Sequence, residues 1–323
     1  MHTRNWRAAM APAGATILAN RWWIYQRERF PLLAHSPVIL AFSLSAIGYS
    51  ALLRGSASLP GWKPCLVAFI ISLLSFLQLR LADEFKDFDE DSRYRPYRPV
   101  PRGLIKLREL AWVWAGCMVI QLGLSLWLAP RPVMLLAATW IYLGVMTKEF
   151  FARRWLKARP VVYMVSHMAI MPLVDFYATA CDWAPLGNAR PPRGLFWFLL
   201  VSLFNGMVIE IGRKIRSPQD EEAGVETYSV LWGTGRAVTV WLAMMTTTAI
   251  LACVAARDID FELPVLGILA AILAVSTMIA FRFLRSQSSG EGKRLETMSG
   301  VWSLLLYLSL GVIPIAIRFW RNQ

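Results

Sequence analysis

The chain has 323 residues, of which 56% are hydrophobic and 17% charged, and its mean hydropathy is +0.45. Many apolar runs reach the roughly 20 residues a bilayer requires, which excludes a disordered chain, a disulfide scaffold, a fibre and a soluble enzyme. The net charge of +13 would suggest nucleic acid in a soluble protein. In a polytopic one it reports basic loops on one membrane face, and no nucleic-acid partner is expected.

The expected fold is all-α: one membrane domain over 1–323, with nine transmembrane helices in a bundle under a cytoplasmic polar cap. Residues 1–30 lack an apolar core beside their first positive charges, so no cleavable signal peptide is expected. Residues 17–33 mix Trp22, Trp23, Tyr25 and Phe30 with Arg21, Arg27 and Arg29, the composition of an amphipathic helix in the membrane interface. The nine spans are expected near 36–54, 62–81, 110–129, 132–148, 160–181, 194–212, 237–256, 263–284 and 298–318. Only Ala129, Pro130 and Arg131 separate the third from the fourth, which predicts a tight helical hairpin. Cys65, Cys117, Cys181 and Cys253 lie in or beside apolar runs without CxxC spacing and read as small buried hydrophobes.

With the N-terminus inside, 25 Lys and Arg fall on the cytoplasmic side and 8 on the other. This asymmetry predicts N-in and C-out. Two long loops, 82–108 and 213–236, then share the cytoplasmic face.

The first begins LADEFKDFDEDSRYRPYRPVPRG, residues 81–103. If the helix runs on to Asp91, then Asp83, Glu84 and Asp91 all lie within about 60° of Asp87 on one face. Clustered carboxylates repel one another unless a cation sits among them, and an oxygen-only set suits Mg²⁺. Arg93, Arg95, Arg98 and Arg102 follow, among Pro96, Pro99 and Pro101. The prolines stop the helix and the arginines offer bidentate contacts to phosphate. Metal-holding acids beside phosphate-holding arginines make a candidate diphosphate site.

The second loop lies in the stretch FNGMVIEIGRKIRSPQDEEAGVETYSVLWG, residues 204–233, at the end of span six. Glu210, Arg213 and Lys214 share a helix face, and Glu210 at the membrane boundary is expected to pair with Arg213, Lys214 or a metal. Asp220, Glu221 and Glu222 come next, then Gly224. Between the two loops, Tyr142, a candidate pocket residue, lies near the end of span four, and Lys148, Arg153, Arg154 and Lys157 follow on the same face. Lys148 is the better phosphate candidate because it lies closer to the span. On span five, His167 and Asp175 lie eight residues apart, nearly on one face. They are candidates for lining an acceptor pocket.

Together these stretches resemble the UbiA superfamily of intramembrane prenyltransferases, over most of the chain. The family's first motif, NDxxDxxxD-like and followed by RPLxxG, is matched by Asp83-Glu84-x-x-Asp87-x-x-x-Asp91 and by Arg98-Pro99-Val100-Pro101-Arg102-Gly103, with Asp83 replacing Asn and Glu84 replacing Asp. Gly224, Thr227 and Leu231-Trp232-Gly233 match the end of the second motif, and Asp220 matches one of its two aspartates. Where the other would stand, the chain has Glu210-x-x-Arg213-Lys214. Either Lys214 contacts diphosphate directly in place of a second cation, or Glu210 or Glu221 supplies the missing ligand. Tyr142 and Lys148 resemble the family's Tyr-then-Lys element.

The resemblance implies Mg²⁺-dependent transfer of a prenyl group from a prenyl diphosphate to a lipophilic or aromatic acceptor. It implies metal ligands among Asp83, Glu84, Asp87, Asp91, Asp220 and Glu221, and diphosphate contacts from Arg95, Arg98, Lys148, Arg213 and Lys214. The alternative on the same scaffold is a terpene cyclase that needs no acceptor. A transporter using Asp175 and His167 is the third reading, disfavoured because the acids gather at one membrane face rather than at mid-membrane.

Overall fold

A computed structural model describes residues 17–56, 58–188 and 190–322. The first basic residues of the tail, Arg4 and Arg7, lie outside the described residues. The described residues are predominantly helical, and no strand occurs among them.

Helix α1 (Ile17–Arg29) precedes α2 (Leu32–Leu53). The expectation of one amphipathic helix over 17–33 is therefore corrected at its end. Pro31 lacks an N–H and disfavours α geometry in Phe30, so the chain turns there and residues 32 and 33 start α2. Then come α3 (Trp62–Lys86), α4 (Phe88–Tyr94), α5 (Leu107–Leu128) and α6 (Pro132–Thr147), with α5 and α6 forming the predicted hairpin. The short α7 (Arg153–Lys157) leads to α8 (Pro160–Met168) and α9 (Ile170–Trp183), one span bent at Ala169. After α10 (Leu195–Arg213) the chain forms α11 (Tyr228–Trp232), α12 (Thr234–Arg257) and α13 (Glu262–Ser286). The last span is α14 (Gly292–Tyr307), a π-helical turn at Leu308–Val312, and α15 (Ile313–Arg321). Pro314 cannot donate to the carbonyl four residues back, and the widened turn just before it accommodates the lost bond.

Eight of these spans are long and apolar enough to cross a membrane. The ninth, α6, has 16 residues, about 24 Å at 1.5 Å per residue against a hydrocarbon core of about 30 Å. It ends in a turn in which Glu149, Phe150 and Phe151 all have positive φ, at 50°, 54° and 57°. Three successive left-handed non-glycine residues reverse the chain sharply at the membrane boundary.

Helix α10 is central, packing on α8, α9, α12 and α14. The first and last spans close the bundle. A Cβ on Gly48 of α2 would come within 3.1 Å of the Gly311 carbonyl oxygen, and one on Gly311 within 2.3 Å of Ser45 Cα. Only glycine permits this approach.

The basic segments gather at one end. Arg21 pairs with Glu109 and Arg102 with Glu28. Tyr97 donates to Glu222, Arg153 to Glu90, and Ser289 to Asp220. At the opposite end Arg54 holds Asp182 through two bonds of 2.9 and 2.6 Å. The loops expected on one face therefore do share one.

Candidate active site at the basic end of the bundle

Helix α3 does not run on to Asp91 as expected. It stops at Lys86, and Asp87 (φ −100°, ψ 9°) bends the chain into α4. The bend divides the four acids into two pairs instead of aligning them on one face.

The inner pair, Glu84 and Asp91, is buried. Glu84 accepts from Arg29 Nε, on α1, and from Arg80 at 3.5 Å. Asp91 accepts from Arg98 at 2.6 Å and forms ion pairs with Arg95 at 2.7 Å and Arg29 at 4.0 Å. Buried carboxylates are tolerable only when paired in this way. Glu84 and Asp91, expected as metal ligands, are paired with arginines.

The outer pair, Asp83 and Asp87, has side chains 32% and 30% exposed. Lys86 Nζ lies 3.6 Å from Asp83 Oδ1 and 4.0 Å from Asp87 Oδ1, so one ammonium stands within ion-pair range of both carboxylates. Arg80 lies 3.4 Å from Asp83. Burial, helped by the charges of Asp83, Asp91 and Glu90, pushes the Asp87 carboxyl up to about 6 against the opposing Lys86 ammonium. Lys86 also donates to the Tyr163 hydroxyl at 2.8 Å. Among the described residues, no group of three or more His, Cys, Asp or Glu side chains is poised to hold a metal.

In the second motif, Glu210 pairs with both cations proposed for it. Arg213 approaches through Nε at 2.8 Å and Nη2 at 2.7 Å, and Lys214 Nζ stands at 2.8 Å. Asp220 turns away from the first motif. Its two oxygens accept from Ser289 Oγ at 2.6 Å and Gly290 N–H at 2.7 Å, bonds that hold its carboxyl below the usual range. Glu221 accepts from the Thr227 hydroxyl at 2.7 Å. Glu222 accepts from Tyr97 at 2.8 Å and Arg216 at 3.1 Å. Gly224, at φ +74°, lets the loop pass against the Tyr94 ring, where a Cβ would meet carbon at 2.4 Å. The two loops therefore touch through Tyr94 and Tyr97.

The remaining candidates divide. The Tyr142 hydroxyl donates to the Ser166 carbonyl at 2.7 Å, and Lys148 is exposed at the end of α6. Arg153 and Lys157 both reach Glu90, the first at 3.2 Å, and hold its carboxyl below the ordinary range, Lys157 through its hydrogen bond above all. His167 is joined to the first motif: its ring stacks on Tyr163 at 3.9 Å, and its Nδ1 stands 2.8 Å from the Tyr163 carbonyl. Asp175 is not. It is fully buried beside Tyr307 (3.5 Å), whose hydroxyl also meets Ser202 at 3.4 Å. Arg29, Arg80, Lys86 and Tyr163 were not singled out from the sequence. Lys86 stands between Asp83 and Asp87, a spacing that could have disclosed it, whereas nothing local ties Arg29 to Glu84.

The UbiA prenyltransferase family model matches residues 40–310. The chain belongs to the UbiA prenyltransferase family. With eight apolar helices it is an integral, multi-pass membrane protein. Its structure is similar to an apo UbiA homologue from Aeropyrum pernix K1, with a TM-score of 0.62 at 14% identity over 84% of this chain and 96% of that one. It is similar to a digeranylgeranylglyceryl phosphate synthase structure, with TM-score 0.59 at 15% identity over 92% and 99%. A third match is a UbiA homologue from Archaeoglobus fulgidus bound to GPP and Mg²⁺, with TM-score 0.53 at 13% identity over 88% and 99%. No curated protein matches the chain. Arg29 lies before the region that the UbiA model matches.

Proposed function

We propose that this UbiA-family protein transfers a prenyl group from a prenyl diphosphate to a lipophilic or aromatic acceptor within the membrane. The observation that carries the reading is the placing of two partly exposed carboxylates, Asp83 and Asp87, on either side of the Lys86 ammonium and beside the arginine cluster. Mg²⁺ commonly binds through one or two carboxylates plus substrate phosphates, and this pair supplies that donor set. The A. fulgidus homologue bound to GPP and Mg²⁺ supports the choice of metal and substrate class.

In this reading Asp83 and Asp87 hold Mg²⁺, which when bound supplies charge stabilisation to the departing diphosphate. Arg95 and Arg98 each have further guanidinium N–H groups beyond those given to Asp91, and these hold phosphate oxygens. Glu84 and Asp91 fix the arginines. The apolar interior keeps water from the allylic carbon. His167 borders the reacting end. Asp175 lies eight residues further along, about 12 Å deeper, at a depth suited to a polar group of the acceptor. The basic end faces the cytoplasm, as the charge asymmetry supports.

The test is to incubate the purified protein with prenyl diphosphates of several lengths, with and without Mg²⁺ and a membrane lipid extract, and to analyse products by mass spectrometry. A Mg²⁺-dependent prenylated product that requires the extract is expected. Absence of any Mg²⁺-dependent consumption would overturn the reading, and a hydrocarbon product without extract would make the protein a cyclase.

A further inference from the structure

We infer that this protein works with a single divalent cation, held by Asp83 and Asp87, and that Arg213 and Lys214 stand in the place of a second. This rests on the prenyl diphosphate reading above and specifies how the charge of that substrate is met.

The resemblance in the second motif leads to an expectation of two aspartates able to hold a metal. The structure leaves no such pair. Glu210 gives one oxygen to Arg213 and the other to Lys214, each within 2.8 Å. Asp220 gives both oxygens to Ser289 and Gly290 of the neighbouring loop. Glu221 gives one oxygen to Thr227, and only its Oε2, buried and unpaired, is left. A single oxygen is a poor cage for an ion that takes six ligands in near-octahedral order.

Charge points the same way. Two aspartates carry −2, which a divalent cation brings to zero. Glu210 with Arg213 and Lys214 already sums to +1 with no metal present. A second divalent ion would have to settle beside that surplus, against Coulomb repulsion. A diphosphate meets instead two covalently held cations. The side chains of Arg213 and Lys214 are 41% and 35% exposed, so their remaining N–H groups are open to a ligand. The first motif differs in kind: Asp83 and Asp87 are partly exposed, carry −2 between them, and face Lys86 at 3.6 and 4.0 Å and, for Asp83, Arg80 at 3.4 Å, with no bond as short as those on Glu210.

The metal count can be read without any acceptor or turnover. Full-length protein in detergent is titrated with Mn²⁺, alone and with geranyl thiolodiphosphate as an unreactive ligand, and free Mn²⁺ is followed by electron paramagnetic resonance. One tightly held Mn²⁺ per chain is expected in the ternary complex, and it should be lost in Asp83→Asn and Asp87→Asn. Lys214→Ala should keep the count at one and weaken the thiolodiphosphate by about tenfold or more, the loss of one charge-assisted contact. Two Mn²⁺ per chain in the wild type would overturn the inference, whether or not the variants fold. So would a folded Lys214→Ala variant that binds the ligand as tightly as wild type. Failure of the wild type to bind the thiolodiphosphate with Mn²⁺ would instead remove the prenyl diphosphate reading beneath it.

Discussion

Arg29 and Glu84 stand 55 residues apart and form an ion pair in which both side chains are almost wholly buried. The pair ties α1 to the last turn of α3. Breaking a buried pair on one side costs about 3–5 kcal/mol, because the remaining charge is left without its partner. Arg29→Met should therefore lower the melting temperature in detergent well beyond the change from an exposed replacement such as Arg285→Met. The double variant Arg29→Met with Glu84→Gln should recover most of the loss. Equal melting temperatures for single and double variants would show that the two charges are not coupled.

Asp83→Asn and Asp87→Asn should each reduce Mg²⁺-dependent turnover by roughly 10²-fold or more, matching the effect of EDTA on the wild type. The melting temperature of Asp83→Asn should stay close to wild type and that of Asp87→Asn should not fall, since both side chains are partly exposed and burial already disfavours the Asp87 charge. Asp91→Asn should behave differently: it unpairs Arg95 and Arg98 and should lower stability as well as turnover. Near-normal turnover of either outer variant at saturating Mg²⁺ would move the metal elsewhere.

The Asp87 carboxyl, raised to about 6, should make the metal-free protein and the metal site respond to pH in opposite directions. At pH 7 such a group is about nine-tenths ionised, and at pH 5 about one-tenth. A metal needs the ionised form, so Mn²⁺ affinity should fall as pH drops through 6. Without metal, the folded state binds a proton that the unfolded chain, with an ordinary carboxyl, releases between about 4 and 6. This contribution to stability should therefore grow as pH falls through 6 and shrink as pH rises. Comparing melting curves of wild type and Asp87→Asn from pH 5 to 7 isolates the term, and identical pH slopes would refute it.

The sequence count of 25 basic residues in the segments assigned to one side against 8 in the others predicts the sidedness. An impermeant maleimide added to intact cells should label cysteines placed at Leu186 and Glu262, and should miss those at Arg102 and Glu226. The native cysteines are buried or half-buried, so background should be low. The reverse pattern would invert the protein in the membrane.

Hydropathy made the spans legible because a bilayer imposes a length and composition on any helix crossing it. The hairpin at Ala129–Arg131 and the shared face of the two loops were legible for the same reason. The bend at Asp87 was not: periodicity alone cannot tell a helix that continues from one that restarts a residue later. The pairing of Glu210 with Arg213 and Lys214 was visible as helix spacing, whereas the capture of Asp220 by Ser289 and Gly290 joins loops 69 and 70 residues apart. The burial of Glu84 as an ion pair depends on Arg29, whose approach is set by α1 docking and by no local pattern.

The glycine contact between Gly48 and Gly311 joins the first and last spans, and these run in the same direction. Arg29 and Gly292 lie at the basic end, while Arg318 donates to the Leu52 carbonyl at the other. During synthesis, α2 enters the bilayer with its Ser45 and Gly48 surface uncovered and must wait for every other span before its final neighbour arrives. A ribosome stalled before Gly311 would leave an open bundle with a sticky seam, available to lipid, to a chaperone or to a second nascent chain. Stop codons before and after the π-helical turn should thus separate chains cleared by membrane proteases from chains that persist.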